Sequence, residues 1–398
     1  MNSYASHGSY MLEELVLTTQ TDEIDLSSMF VSLSLYESME EQAMSGTITV
    51  IDSFNLPDIL QLGGNEQVTL SFYTSGNENN PLEYTGTVYK LSERHRLSEH
   101  SSGYLIHFCS DVALSSRREF LTRAFNTTIS DAVKRILNIY TDKAVDVVET
   151  AGTYSYSFGN TEALEAINLM IPKAYSTSNE VGYVLYETPN QWNFKPLEWL
   201  YQQQPVASYG TKSAHTYENV SNRYAEQFES IQNVKILEEN SLMDSVNDGM
   251  YGSSHQLFDI LNKTYTEDVY SVNEQFDPEK SLGYTPTVRP FETKNDQIFL
   301  RYDNNNTDNV NNRTYSRTKM VLRRSDLFRA EITLFGDSSI SVGNIISVTF
   351  PTWVTDQENI GTMFDGEVLI KKICHYLTPN QYLQVMQVNK DAYNEGVS

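Results

Sequence analysis

The residues able to do chemistry in this chain are few and spaced wrongly for it. "HRLSEH" sets His95 and His100 five apart with Glu99 between them, whereas a helical zinc site wants histidines at i and i+4. They fall in an expected hairpin tip, where a solvated charged turn accounts for them. The other histidines, His7, His107, His215, His255 and His375, are scattered along the chain. Cys109 and Cys374 are the only cysteines, with no metal-type spacing and no disulfide framework, and read as buried thiols of a protein folded in a reducing compartment. No G-x-S-x-G, P-loop or C-x-x-C occurs. Among 52 acidic residues a carboxylate pair for glycoside cleavage is always available, so such a pair carries no information. No catalytic residue, cofactor site or metal ligand is assigned, and no cofactor is expected.

Composition narrows the partners instead. The chain has 398 residues, 28 basic and 52 acidic, for a net charge of −24, which argues against affinity for nucleic-acid phosphates. Either the charge serves solubility, or the surface must stay near DNA or RNA without holding it. A hydrophobic content of 39% suits a folded chain, and the length allows about two to four domains. The 26 tyrosines and 17 phenylalanines, with recurring Val, Ile and Thr, lean towards β structure. Aromatic stretches such as "GYLIHF" and "GYVLY" read in so acidic a chain as core or interface residues and not as an RNA-binding platform. "MNSYASHGSYMLEELVL" has no basic segment leading into an apolar core, so no signal peptide is read, and no apolar run approaches the roughly 18 residues that cross a bilayer.

The elements that would have to position a site repeat themselves. "MFVSLSLYE" (29–37) alternates, with Met29, Val31, Leu33 and Leu35 expected on one face. "GTITVID" (46–52) pairs Ile48 with Val50, and after Gly64-Asn65 come Val68, Leu70 and Phe72; "YTGTVYKL" and "GYLIHFCSD" complete a small all-β unit ending near Asp111. The C-terminal end follows the same order. "AEITLFGD" (330–337) places Ile332 and Leu334 where Ile48 and Val50 stand; Gly343-Asn344 precedes Ile346, Val348 and Phe350 with one residue fewer; "FDGEVLIKKI" parallels "YTGTVYKL" at Gly366 and Gly86; and Asp391 matches Asp111. Four ordered matches read as an internal duplication. The second copy lacks an adjacent first strand, for which "IQNVKILE" (231–238) is the candidate, leaving a polar insertion from about 240 to 327 whose "YDNNNTDNVNNRT" reads as a loop.

Between the copies the periodicity turns helical. "TTISDAVKRILNIY" (127–140) and "NTEALEAINLMIPKAY" (160–175) predict helices, the first capped by Thr128 or Ser130 and the second stopped near Pro172. "GYVLYETPNQWNFKPLEWL" predicts a hairpin around Thr188-Pro189-Asn190. One segment opposes the overall charge: "RTYSRTKMVLRRSDLFR" holds Arg313, Arg317, Lys319, Arg323, Arg324 and Arg329. It is read either as a solvated helix face or as a docking interface for an acidic neighbour, such as another copy of the chain.

"SLYESMEEQAMSGTITVIDSFNLPDILQLGGNEQVTLSF", "YVLYETPNQWNFKPLEWL" and "VGNIISVTF…FDGEVLIKKICHYL…YLQVMQV" together resemble the baseplate hub of contractile-tailed bacteriophages and the hub part of type VI secretion spikes. The likeness covers most of the chain outside 240–315 and rests on turns and alternation, not on a catalytic signature. It implies a mainly β fold with an α+β middle module: two similar tail-tube-like β-barrel or sandwich domains per chain, the second interrupted by an insertion. The implied boundaries are 1–113 for the first tube-like domain, 114–215 for the middle domain, 216–239 with 328–398 for the second, and 240–327 for the insertion. It also implies a homotrimeric ring between a six-fold tail tube protein and a trimeric central spike, with tape-measure and wedge proteins as further candidate partners. DNA would pass through without specific binding and without membrane insertion, in a virion tail assembled in the bacterial cytoplasm. No enzymatic activity is expected, and any cell-wall hydrolysis would sit in a partner. The competing readings are a tail-associated cell-wall hydrolase and a receptor- or glycan-binding tail module.

Overall fold

β-Branched and aromatic residues alternating with Ser and Thr suit a pleated surface buried on one side. In the computed structural model, which describes residues 8–210, 230–239, 241–247, 250–272, 276–283, 296–301, 308–350 and 364–394, the N-terminal part is built this way. Its strands are β1 (Tyr10–Thr18), β2 (Glu23–Asp25), β3 (Phe30–Ser38), β4 (Ser45–Asp52), β5 (Gln67–Thr74), β6 (Leu82–Arg96) and β7 (Ser102–Cys109), with a short helix α1 (Leu56–Ile59) between β4 and β5. They pair in the order β3-β4-β7-β6-β5-β1-β2, every contact antiparallel. Ile48, Val50, Val68, Leu70, Phe72, Ile106 and Phe108 fill the interior. β1 has no counterpart in the strands expected from sequence. β3 also departs from simple alternation: a bulge between Phe30 and Ser32 turns Phe30 inward with Leu33 and Leu35 and leaves Val31 41% exposed.

The middle segment holds α2 (Asp111–Arg118), β8 (Leu121–Thr127), α3 (Ile129–Tyr140), β9 (Ala144–Val147), β10 (Tyr154–Thr161), α4 (Ala163–Met170), β11 (Tyr183–Glu187), β12 (Gln191–Pro196) and α5 (Leu197–Leu200). Thr128 caps α3 by accepting from the Asp131 amide, and Ile129, Val133, Ile136 and Leu137 form its buried face. α4 gives way to a single 3₁₀ turn at Ile171–Lys173, as Pro172 requires. β11 and β12 form the expected hairpin, and both helices pack with it into a separate apolar cluster around Trp192 and Phe194.

The remaining elements are β13 (Ala207–Gly210), β14 (Asn233–Glu239), α6 (Leu242–Asn247), β15 (Gly252–Asp259), β16 (Thr264–Ser271), β17 (Asp296–Arg301), α7 (Asp308–Arg324), β18 (Phe328–Phe335), β19 (Ile345–Thr349), β20 (Gly366–Thr378) and β21 (Gln381–Lys390). β14, the candidate first strand, pairs antiparallel with β18 across the intervening segment, in which β15, β16 and β17 make a small sheet of their own. Residues 302–307 of "YDNNNTDNVNNRT" lie outside the described residues; the remaining seven, from Asp308 to Thr314, are helix at the start of α7 and not the expected loop.

The two β units share their strand order and one bulge. β3-β4-β7-β6-β5 and β14-β18-β21-β20-β19 run in the same order, antiparallel throughout. Ile48 faces Ile106 and Ile332 faces Met386. A bulge interrupts β6 between Val88 and Lys90, and a bulge interrupts β20 between Ile370 and Lys372. Those bulges shift one sequence match: Val68 pairs with Gly86 but Ile346 with Val368, so Gly86 corresponds to Val368 and not to Gly366. They also remove the one-residue gap. The Asn65 amide donates to Val88 O as the Gly343 amide donates to Ile370 O, and both residues have positive φ, 83° and 91°. Asn65 is thus the counterpart of Gly343, since a left-handed turn residue is what the position needs.

Candidate functional site

The first half of β20 pairs with β19, and the second half, Lys372 to Leu377, pairs antiparallel with β3 from Ser38 to Leu33. That single junction welds the two units into one 13-stranded sheet. Inward positions of both strands at the junction carry polar groups. Glu37 and His375 are 1% and 0% exposed, and Glu37 Oε1 lies 2.8 Å from His375 Nε2. The other carboxylate oxygen accepts from the Val342 amide at 3.1 Å, and His375 Nδ1 lies 2.7 Å from the Tyr382 hydroxyl. Burial holds that hydroxyl's pKa well above the usual phenolic range, so it stays protonated. Gln384 closes the network by exchanging bonds with the Asp337 backbone at 2.9 and 2.8 Å. A buried network fully bonded in this way fixes one geometry, since every alternative strands a desolvated polar group.

The seam continues at its ends. Thr74 and Ser338 exchange amide-to-hydroxyl bonds at 3.2 Å, and Asn77 donates to Asp337 at 3.0 Å. Tyr382, although on β21, packs edge-on against Phe72 of the first unit at 5.1 Å. A shallow groove of about 400 Å³ crosses the outer face of the junction, lined by Tyr36, Glu41, Thr47, Lys372 and Cys374 among others. Among the described residues no group of three or more His, Cys, Asp or Glu stands ready to hold a metal ion. No described helix is long and apolar enough to cross a membrane.

The basic segment lies elsewhere, and four of its arginines, Arg317, Arg323, Arg324 and Arg329, are paired with carboxylates of the same chain. Arg317 donates to both oxygens of Glu198 on α5, at 3.0 and 2.8 Å. Burial raises the pKa of Glu198, and Arg317 opposes the rise. Arg324 is 2% exposed and meets Asp391 at 3.1 Å; the same carboxylate accepts from the Leu282 amide and the Ser281 hydroxyl, both at 2.8 Å. Arg323 lies 3.6 Å from Glu238 and 3.8 Å from Asp244, and Arg329 pairs with Glu238. Lys319 is exposed, with its ammonium 4.8 Å above the Tyr315 ring. The side chain of Arg313 lies outside the described residues. α7 therefore braces the middle segment to the second β unit. The Glu37–His375 network went unseen in the sequence. Its only signal was a polar residue at an inward position of an alternating strand, twice.

No family model matches the sequence, and no curated protein matches it. Solved structures do. The tail protein from Neisseria meningitidis MC58 aligns over 96% of this chain and 97% of its own, at 12% identity and a TM-score of 0.59. The 43 kDa tail protein of prophage MuSo2 from Shewanella oneidensis aligns over 97% of this chain and all of its own, at 11% identity and 0.57. A chain of the Francisella PdpA–VgrG complex aligns over 98% of this chain but 54% of its own, at 9% identity and 0.50. At such identities the likeness is one of fold, and it is the mainly β fold with an α+β middle module that the resemblance to baseplate hubs implies. Over nearly its whole length, this chain has the fold of those two bacterial and prophage tail proteins.

Proposed function

We propose that this chain is a structural hub of a phage tail baseplate: a homotrimeric ring that adapts a six-fold tail tube to a three-fold central spike. The observation that carries the reading is the duplication itself, two β units with one strand order joined edge to edge in a single sheet. Six similar docking surfaces from three chains require two per chain. The fold shared with tail proteins along almost the whole chain supports the same role. In this reading residues 1–113 and 216–239 with 328–398 are the two tube-like domains, 114–215 the middle domain and 240–327 the insertion. The bore passes DNA without binding it, tape-measure and wedge proteins are neighbours, and the chain works in the virion after assembly in the host cytoplasm, without catalysis. A ring of three chains with six similar lobes on one face, seen by light scattering and electron microscopy with and without a trimeric spike, is the expected result. A monomer in both conditions, or a ring of six chains, would reject it. Peptidoglycan cleavage in a zymogram would favour a hydrolase instead.

A further inference from the structure

A second cleft lies apart from the junction groove, between the β11–β12 hairpin, α5 and the turn from β18 to β19. Its volume of about 590 Å³ falls within the roughly 300–1,000 Å³ of small-molecule sites. Tyr186, Leu200, Val342 and Ile345, all buried, form an apolar floor. The rim is neutral and polar, with Asn190, Gln191, Gln203, Gln204, Ser341 and Asn344. Although the chain has 52 acidic residues, none of the described residues lining this cleft is acidic. Lys195 is the one charged residue among them; its ammonium is held by Asp146 at 2.6 Å and lies 5.2 Å above the Trp199 ring. A charged ligand therefore meets no free counter-charge here. β19 at the border is paired on both sides, by β13 and β20, so an extended peptide finds no open edge on it.

Two donors at the cleft are left over by the fold. Tyr186 is 2% exposed, yet its hydroxyl has no hydrogen-bond partner among the described residues. It lies against Gly343 of the cleft wall, where an added Cβ would run into it. Burial, with the charges of Asp146 and Glu37, holds its pKa well above the phenolic range, so it remains a donor. The indole N–H of half-buried Trp199 likewise has no partner among the described residues, and it can only donate. Part of the rim is already bonded within the chain: Gln191 donates to Asn193 at 2.8 Å and Gln203 to the Trp199 carbonyl at 3.1 Å. Buried donors are almost always bonded, so an orphan at a cleft marks where a ligand's acceptor belongs. We propose that this cleft binds a neutral oligosaccharide of N-acetylhexosamines. An acetamido group offers what the two donors and the floor lack, a carbonyl that accepts and a methyl that covers apolar surface. The rim side chains of Asn190 and Gln204 both donate and accept, as ring hydroxyls do. The site stands whether or not the chain forms a ring.

Isothermal titration of the full chain with chitotriose tests the site. One chitotriose per chain is expected. Cellotriose, which carries a hydroxyl in place of each acetamido group, should bind at least about tenfold more weakly. Tyr186→Phe should weaken chitotriose about fivefold through the lost hydrogen bond. The same variant should not lower the melting temperature of the free protein, since the hydroxyl bonds nothing in the fold. Trp199→Phe, which keeps a ring but removes the N–H, should weaken binding in the same way; if it fails to fold, Tyr186→Phe decides alone. No binding of chitotriose at about 10 mM, beyond the millimolar range of a weak specific site, overturns the proposal. So does binding that the folded variants leave unchanged, or cellotriose bound as tightly. Tighter binding of trigalacturonate overturns it too, by making the cleft a site for anions.

Discussion

Glu37 and His375 stand 338 positions apart in the chain and 2.8 Å apart in the fold, each enclosed, one on either side of the junction between the two β units. Truncation of Glu37 to Ala strands both the His375 ring and the Val342 amide. A cost of about 3 kcal/mol is expected in urea unfolding. Glu37→Gln retains an oxygen for one of the two partners and should cost about 1 kcal/mol. Equal effects from the two variants would mean that shape, and not hydrogen bonding, holds the seam.

Gly46 and Phe108 pair across β4 and β7, and a Cβ on Gly46 would run into the Phe108 ring. The equivalent pair in the second unit is Ala330 opposite Val388. The two units have solved one packing problem with a small–large pair and with an intermediate pair. Gly46→Ala alone should cost about 2 kcal/mol through overpacking, and Phe108→Val alone about 2 kcal/mol through a cavity. Together they recreate the second unit's solution, so the double variant should recover at least about 1 kcal/mol relative to the sum. Strict additivity in the double-mutant cycle would show that the two packings are not interchangeable.

Arg324 is the most buried of the described α7 cations, and its removal leaves Asp391 buried without its charge partner. Arg324→Ala should cost about 3–5 kcal/mol. Lys319→Ala, at an exposed position, should stay within about 0.5 kcal/mol. Joint reversal of Arg323 and Arg324 to Glu should therefore abolish folding, read by circular dichroism, before any effect on assembly can appear. A folded double reversal with altered salt dependence of assembly would show that the segment also serves as an interface.

Burial pulls Lys390 down to about 8, against the pull of Asp391, Asp365 and Glu367 towards the charged form. Between pH 8 and about 10 the unfolded chain holds a proton that the folded chain lacks, so stability rises with pH, by up to about 1.4 kcal/mol per unit. The contribution is lost as pH falls through 8. Buried tyrosines act oppositely at higher pH: Tyr10, raised to about 12 by burial, favours the folded state below pH 10, an advantage lost above it. The difference between the parent and Lys390→Met isolates the lysine. It should grow across the window from pH 8 to 9, and a flat difference would place the ammonium in solvent.

A chain of net charge −24 should not retain duplex DNA even at about 50 mM salt, where phosphate contacts are strongest. A mobility-shift assay with assembled protein should show free DNA alone. Retardation that weakens with salt would expose a basic surface at odds with a passive bore.

Much of this fold was legible because alternation and turn chemistry are local. The pairing of Ile48 with Val50 and of Ile332 with Leu334, the cap at Thr128, the stop at Pro172 and the β11–β12 hairpin all follow from short-range sterics and capping. Local signals fail where one residue is added. The bulge at Val31 reversed the expected face of Phe30, and the bulges at Tyr89 and Lys371 moved the partner of Gly86, because a single extra residue flips every side chain after it.

By itself, then, the sequence determined a duplicated β architecture, a helical middle and an acidic chain without a catalytic motif, since period, turns and charge are properties of neighbours in the chain. The tertiary structure alone decided which edges meet. That β20 turns from β19 to β3, that Glu37 finds His375, and that Arg317 and Arg324 close on Glu198 and Asp391 depend on residues 67 to 344 positions apart. No local rule selects such partners. They are chosen together when the two cores bury their apolar faces, and a buried polar group then keeps only the arrangement in which it is bonded.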